Sequence, residues 1–175
     1  YVLNTQQGLS DNRVLQMIQL ADGRMAVRTP KGINLYDGRH FSFIPLPAEK
    51  VESIMKYKGQ THLYADSQDR LWVKEYQKIF CIQLREGRLL EHPLDSLSRN
   101  EKEDKMQMMR NSSSRNAIQD LFVDSRKNVW VVMGDSLLNT QDGNLIHLKK
   151  EWGCLQDLDT DGKQVYAFMD SGIVA

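Results

Sequence analysis

The stretch ADGRMAVRTPKGINLYDG, residues 21–38, decides the fold, because the chain repeats its pattern three more times. The variants are SQDRLWVKEYQKIFCI (67–82), SRKNVWVVMGDSLLNTQDG (125–143) and TDGKQVYAFMDSGIVA (160–175). With Val27, Val73, Val131 and Ala167 aligned, an aliphatic residue follows six positions later in each: Ile33, Ile79, Leu137 and Ile173. Seven positions before the first three anchors, and eight before Ala167, stand Leu20, Asp66, Asp124 and Asp159. Self-similarity at fixed offsets is the signature of a repeat architecture.

Each unit reads as short strands separated by turn chemistry. In the first, RVLQMIQL (13–20) alternates apolar and polar, Asp22-Gly23 turns, and RMAVRT (24–29) follows. Pro30-Lys31-Gly32 then leads to INLY (33–36), and Asp37-Gly38 to HFSFI (40–44). Asp-Gly pairs supply the positive φ that tight hairpins require. The second unit offers THLYA (61–65), RLWVKE (70–75), KIFCIQL (78–84) and RLLEH (88–92). The third offers AIQDLFV (117–123), NVWVVM (128–133), SLLN (136–139) and NLIHL (144–148). A fourth begins near Gly153 and runs through KQVYAFM (163–169) into a third strand.

Four-stranded antiparallel meanders at this spacing predict an all-β chain of β-propeller blades. Blade 1 covers 8–46, blade 2 58–94, blade 3 116–150 and blade 4 152–175, the last truncated. That is about three and a half blades, so a fragment of a larger propeller is expected. Unpaired strand edges are pairing templates, so such a fragment is expected to self-associate unless further blades cover it. Two stretches break the rhythm. Residues 45–59 link the first two blades, with room for a short strand at 51–57. Residues 95–115 form a charged, Ser- and Met-rich insertion whose composition reads as a solvated excursion.

Trp72 and Trp130 share one slot in the repeat, with Ala26 and Tyr166 in the others. Such aromatics can stack on sugars, but a repeated mid-strand ring is expected to pack blade on blade.

Bulk properties exclude more than they select. Among 175 residues, Lys+Arg number 23 and Asp+Glu 23, so no global field favours nucleic acid or acidic membranes. No apolar run is long enough to span a bilayer. Cys81 and Cys154 fall in different units and are expected as two buried, reduced thiols.

The residues 8–44, GLSDNRVLQMIQLADGRMAVRTPKGINLYDGRHFSFI, resemble the two-component regulator propeller repeats. The family pattern G-L-S-x-N-x-V, D-G-x-h-W-h-x-T and G-h-x-h-Y-D-G is matched at Gly8, Leu9, Ser10, Asn12, Val14, Asp22, Gly23, Val27, Thr29, Gly32, Tyr36, Asp37 and Gly38. DLFVDSRKNVWVV (120–132) is a second similar stretch, and the likeness extends over nearly the whole chain apart from 95–115. Departures are Ala26 in place of the family's Trp, and Arg28, Lys74 and Val132 where a Gly usually follows.

The resemblance implies the periplasmic sensor region of a hybrid two-component regulator from a glycan-degrading bacterium. The usual parent has two propellers, a Y-shaped β-sandwich, one membrane span and then the signalling modules. It further implies a glycan-derived oligosaccharide as ligand and the remaining blades of the parent as partners, with a second copy as a further candidate. No cofactor is expected. The rival readings are a propeller-fold polysaccharide lyase or glycosidase, which needs convergent carboxylates or a Tyr/His base, and a protein-interaction propeller scaffold.

Catalytic and metal patterns are sparse. His40, His62, His92 and His147 lie in separate segments without zinc spacing. Asp157, Asp159, Asp161 and Gly162 spell the start of a calcium loop, but its twelfth position is Phe168, which offers no carboxylate. A strand running into a tight turn explains the same letters. In a four-strand meander, the lead-in to the first strand and the turn between the second and third share one end. That places Asn12, Arg13, Arg28, Lys31, Lys74 and Tyr76 on one rim. Donors of this kind suit an anionic or hydroxyl-rich saccharide; solvated turn residues would look the same.

Overall fold

The computed structural model describes residues 2–47, 61–75, 78–91, 93–94 and 118–175. Tyr76, the insertion at 95–115 and the strand expected at 51–57 lie outside the described residues.

The described residues form four antiparallel sheets, three of four strands and one of three, each in sequential order. Blade 1 is β1 (Gln16–Gln19), β2 (Met25–Thr29), β3 (Gly32–Tyr36) and β4 (Phe41–Pro45). Blade 2 is β5 (Thr61–Ala65), β6 (Arg70–Glu75), β7 (Lys78–Gln83) and β8 (Arg88–Leu90). Blade 3 is β9 (Asp120–Val123), β10 (Val129–Met133), β11 (Ser136–Asn139) and β12 (Leu145–His147). Blade 4 is β13 (Leu155–Thr160), β14 (Val165–Met169) and β15 (Gly172–Val174). Among the described residues, helix is confined to single 3₁₀ turns such as Thr5–Gln7 and Lys150–Trp152.

The repeat slot four residues before the anchor in the first three blades, and five before Ala167 in the fourth, needs left-handed backbone. Gly23 has φ 87°, Asp69 60°, Lys127 64° and Gly162 89°. Two of the four slots therefore hold a residue with a Cβ in a conformation that favours glycine. In blade 1, Asp22 completes the turn by accepting the Arg24 N–H at 3.0 Å.

Two compact units divide the chain, one holding β1–β8 and the other β9–β15. In the first, Ala26, Ile33, Leu35 and Ile44 of blade 1 bury against Leu63, Leu71, Val73 and Ile82 of blade 2. In the second, Trp130 and Leu137 of blade 3 bury against Leu158 of blade 4. Within each unit the first strands touch, β1 with β5 and β9 with β13. In unit 1 the Gln16 side chain bridges this contact by accepting the Leu63 N–H at 2.8 Å. First-strand contact between consecutive meanders is propeller geometry, since those strands surround the central channel.

Trp72 and Trp130 are 0% and 2% exposed, as expected of packing residues. Ala26 fills the same slot on the face of blade 1 that meets blade 2.

Candidate functional site

In unit 1 the end expected to form a rim is assembled. The Leu15 N–H donates to the Arg28 carbonyl at 2.8 Å, bringing the lead-in of β1 beside the β2–β3 turn. Ser10 Oγ and Thr29 Oγ1 lie 2.7 Å apart, and buried Asn34 accepts the Ser10 N–H at 2.9 Å. Polar side chains thus tie the lead-in to the sheet, which explains their presence on an otherwise apolar face.

The six rim residues fare differently. Lys31 is exposed at the turn tip, with no polar partner among the described residues. Arg13 is exposed and only loosely paired with Asp11, at 3.9 Å. Asn12 is exposed, but its side-chain oxygen accepts the Thr5 N–H at 2.9 Å. Lys74 is half-buried near the end of β6. Arg28 departs from the expectation: it is 1% exposed and beneath the rim. Its guanidinium pairs with Glu75 of blade 2 and also donates to the Thr29 carbonyl and, at 3.3 Å, to that of Gly32. The physical reason is its row in the sheet, Arg28–Ile33–Ile44, which turns toward blade 2 and not to solvent. Arg28 is therefore a pin between blades and is closed to a ligand.

Unit 2 carries a cleft of about 840 Å³ at the equivalent end of blade 3. The lead-in Gln119–Asp120, the β10–β11 turn at Gly134–Asp135 and the connection from Lys149 to Cys154 surround it. Half-buried Phe122, Val132, Leu148 and Leu155 make one side apolar. The polar side holds Ser136, His147, Lys149 and Lys150.

Hydrogen bonds order that side. Ser136 Oγ donates to Asp135 Oδ1 at 3.2 Å and lies 3.2 Å from His147 Nδ1. Ser136 Oγ thus joins Asp135 to Nδ1 of His147, and the His147 Nε2 has no partner among the described residues. Lys149 sits 3.9 Å from Glu151 and 5.3 Å from the Trp152 ring centre. Lys150 has no partner among the described residues. Cys81 is buried as expected, but Cys154 is exposed, contrary to the expectation, because it lies in the connection before β13; it donates its N–H to Asp170 at 2.8 Å. That bond holds the Asp170 carboxyl below its ordinary range.

None of these cleft residues was singled out as a binding group from the sequence. The signal for one pair was present: a hairpin between SLLN and NLIHL sets Ser136 opposite His147, the observed register.

No family model matches the chain, and no curated protein matches it. Solved structures do. The extracellular domain described as that of the hybrid two component system BT3049 from B. thetaiotaomicron matches with a TM-score of 0.52 and 17% identity, over 99% of this chain and 26% of that one. The extracellular domain of the hybrid two component system BT4673 from the same organism gives 0.45 and 19%, over 94% and 23%. A streptogramin B lyase gives 0.45 and 13%, over 95% and 55%. The chain therefore spans about a quarter of the length of the first of these structures, 26%. The first match agrees with the meander order, the turn slots and the first-strand contacts: the chain is built of β-propeller blades.

Proposed function

We propose that this chain is a non-enzymatic, ligand-sensing propeller segment from the periplasmic part of a hybrid two-component regulator. Its parent would recognise a glycan-derived oligosaccharide and pass a population shift across the membrane to control transcription. The observation that carries this reading is the regulator-type motif of residues 8–44 and 120–132, set in a four-fold repeat of blades whose fold matches the extracellular domain described for BT3049. Fold alone does not supply function, so the reading depends on the repeat motif together with the fold. The saccharide contacts would come from Asn12, Arg13, Lys31 and Lys74, with Tyr76 beside them in sequence. Arg28 would hold that rim in place from below.

Calorimetric titration of the chain with a panel of neutral and acidic oligosaccharides tests this. One class should bind, Arg13→Ala combined with Lys31→Ala should weaken it several-fold, and chromatography should show the sugar intact. Shortened products would replace the sensor reading by an enzymatic one. Binding by no member of the panel would remove the saccharide.

A further inference from the structure

The cleft of unit 2 has a chemistry that a saccharide does not match. Sugars are bound by flat aromatic faces and many paired donors and acceptors. Here the apolar side is aliphatic apart from Phe122, and its residues are half-buried, leaving apolar surface in contact with the cleft. The other side carries two carboxylates, Asp120 and Asp135, and two ammonium groups, Lys149 and Lys150. Asp135 accepts the Ser136 hydroxyl, Asp120 accepts the Leu121 N–H at 2.7 Å, and Lys149 is next to Glu151. Lys150 remains unpaired among the described residues.

We infer that this cleft is a second binding site, for an amphiphilic acid with an aliphatic or small aromatic body and one anionic group. The body lies on Val132, Leu148 and Leu155, and each methylene buried there should tighten binding roughly fourfold. The anionic group meets Lys150, a compact point charge on a flexible stem, and needs no fixed bidentate geometry. His147 borders the same side and offers its Nε2 as a further hydrogen-bonding group. The cleft volume of about 840 Å³ suits a ligand of ordinary small-molecule size. This site is independent of the saccharide rim in unit 1, and either can exist without the other.

Cys154 borders the cleft and is exposed, whereas Cys81 is buried, so alkylation of Cys154 reports occupancy. The rate of Cys154 modification by iodoacetamide, located by peptide mass spectrometry, is measured with octanoate, octanamide, acetate or cellobiose present. All are kept below micelle-forming concentrations. Octanoate should protect best, octanamide several-fold less well, and acetate and cellobiose not at all. Lengthening hexanoate to octanoate should improve protection roughly tenfold, following two added methylenes. Lys150→Gln should bring octanoate down to the level of octanamide and leave octanamide unchanged. Equal protection by acid and amide, protection by cellobiose alone, no protection by octanoate, or an unchanged acid preference in Lys150→Gln would each overturn the assignment.

Discussion

Asp124 accepts the indole N–H of Trp130, six residues further along, at 2.9 Å. The same carboxylate accepts the backbone N–H groups of Arg126 and Asn128, both at 2.9 Å, and the Asn128 amide at 2.8 Å. One buried side chain thus closes the β9–β10 turn and satisfies the ring that packs blade 3 on blade 4. The six-residue Asp-to-Trp spacing recurs as Asp66 and Trp72, whereas blade 1 has apolar Leu20 and Ala26 at both positions. The two positions change together because a buried indole N–H needs an acceptor and a buried carboxylate needs donors.

Trp130→Ala should therefore destabilise unit 2 by about 3–5 kcal/mol, the range for large buried aromatics. Trp130→Phe keeps most of the packing but strips a donor from Asp124, and should cost about 1–3 kcal/mol. Urea unfolding would measure both. A Phe variant as unstable as the Ala variant would mean the hydrogen bond, and not the ring, dominates.

Arg28 and Glu75 form a buried pair between adjacent blades of unit 1. Removing one partner leaves an uncompensated charge, so Glu75→Ala should cost about 3–5 kcal/mol. Arg28→Met combined with Glu75→Leu should recover much of that loss, because a packed apolar pair avoids the desolvation of two ions. Recovery should stay incomplete, since the Thr29 and Gly32 carbonyls lose a donor. Denaturant midpoints for the single and double variants decide it: a Glu75→Ala chain as stable as the parent would show the pair to be dispensable.

Lys127 lies at φ 64° in the slot where blade 1 has Gly23. Left-handed backbone costs a residue with a Cβ about 1–2 kcal/mol, and the greater unfolded freedom of Gly offsets part of the gain from relieving it. Lys127→Gly should stabilise unit 2 by up to about 1 kcal/mol, read as a higher urea midpoint. A drop in stability would mean that Lys127 makes a compensating interaction in the native turn.

Strand order and blade number were legible because the repeat gives each blade the same reading independently. THLYA, RLWVKE and SLLN coincide with β5, β6 and β11 to the residue. RVLQMIQL and AIQDLFV were read three residues too early, because alternation continues into the lead-in while pairing starts only at Gln16 and Asp120. The ligand rim was legible as a location but not as a set of groups. Arg28 shares a turn with Lys31, yet only knowledge of which face meets blade 2 separates a buried pin from an exposed donor. The cleft was missed for a related reason: it depends on the gap between blade 3 and blade 4, which the pattern of one blade does not encode.

The turn of blade 4 makes stability in unit 2 depend on pH at both extremes. The Asp161 carboxyl accepts the N–H groups of Gln164 and Lys163 and the hydroxyl of Tyr166, and these hold it below its ordinary value of 3.8. Asp159, accepting from the Ser125 backbone across to blade 3, is lowered in the same direction. A carboxyl whose folded value is depressed contributes stability that is present above its unfolded value and is lost as pH falls through its folded value. Tyr166 moves the other way: its hydroxyl donates to Asp161 at 2.9 Å, which raises its value above 10.0. Its contribution is present below the ordinary tyrosine value and is lost as pH rises through the raised one. The urea midpoint of unit 2 should therefore be flat near neutrality, fall on acidification below the ordinary carboxylate value, and fall again in strong alkali. Asp161→Ala should lower the neutral midpoint, flatten the acid limb and return Tyr166 to ordinary titration, followed by phenolate absorbance. An acid limb of unchanged steepness in that variant would place the responsible carboxyl elsewhere, with Asp159→Ala as the next substitution to measure.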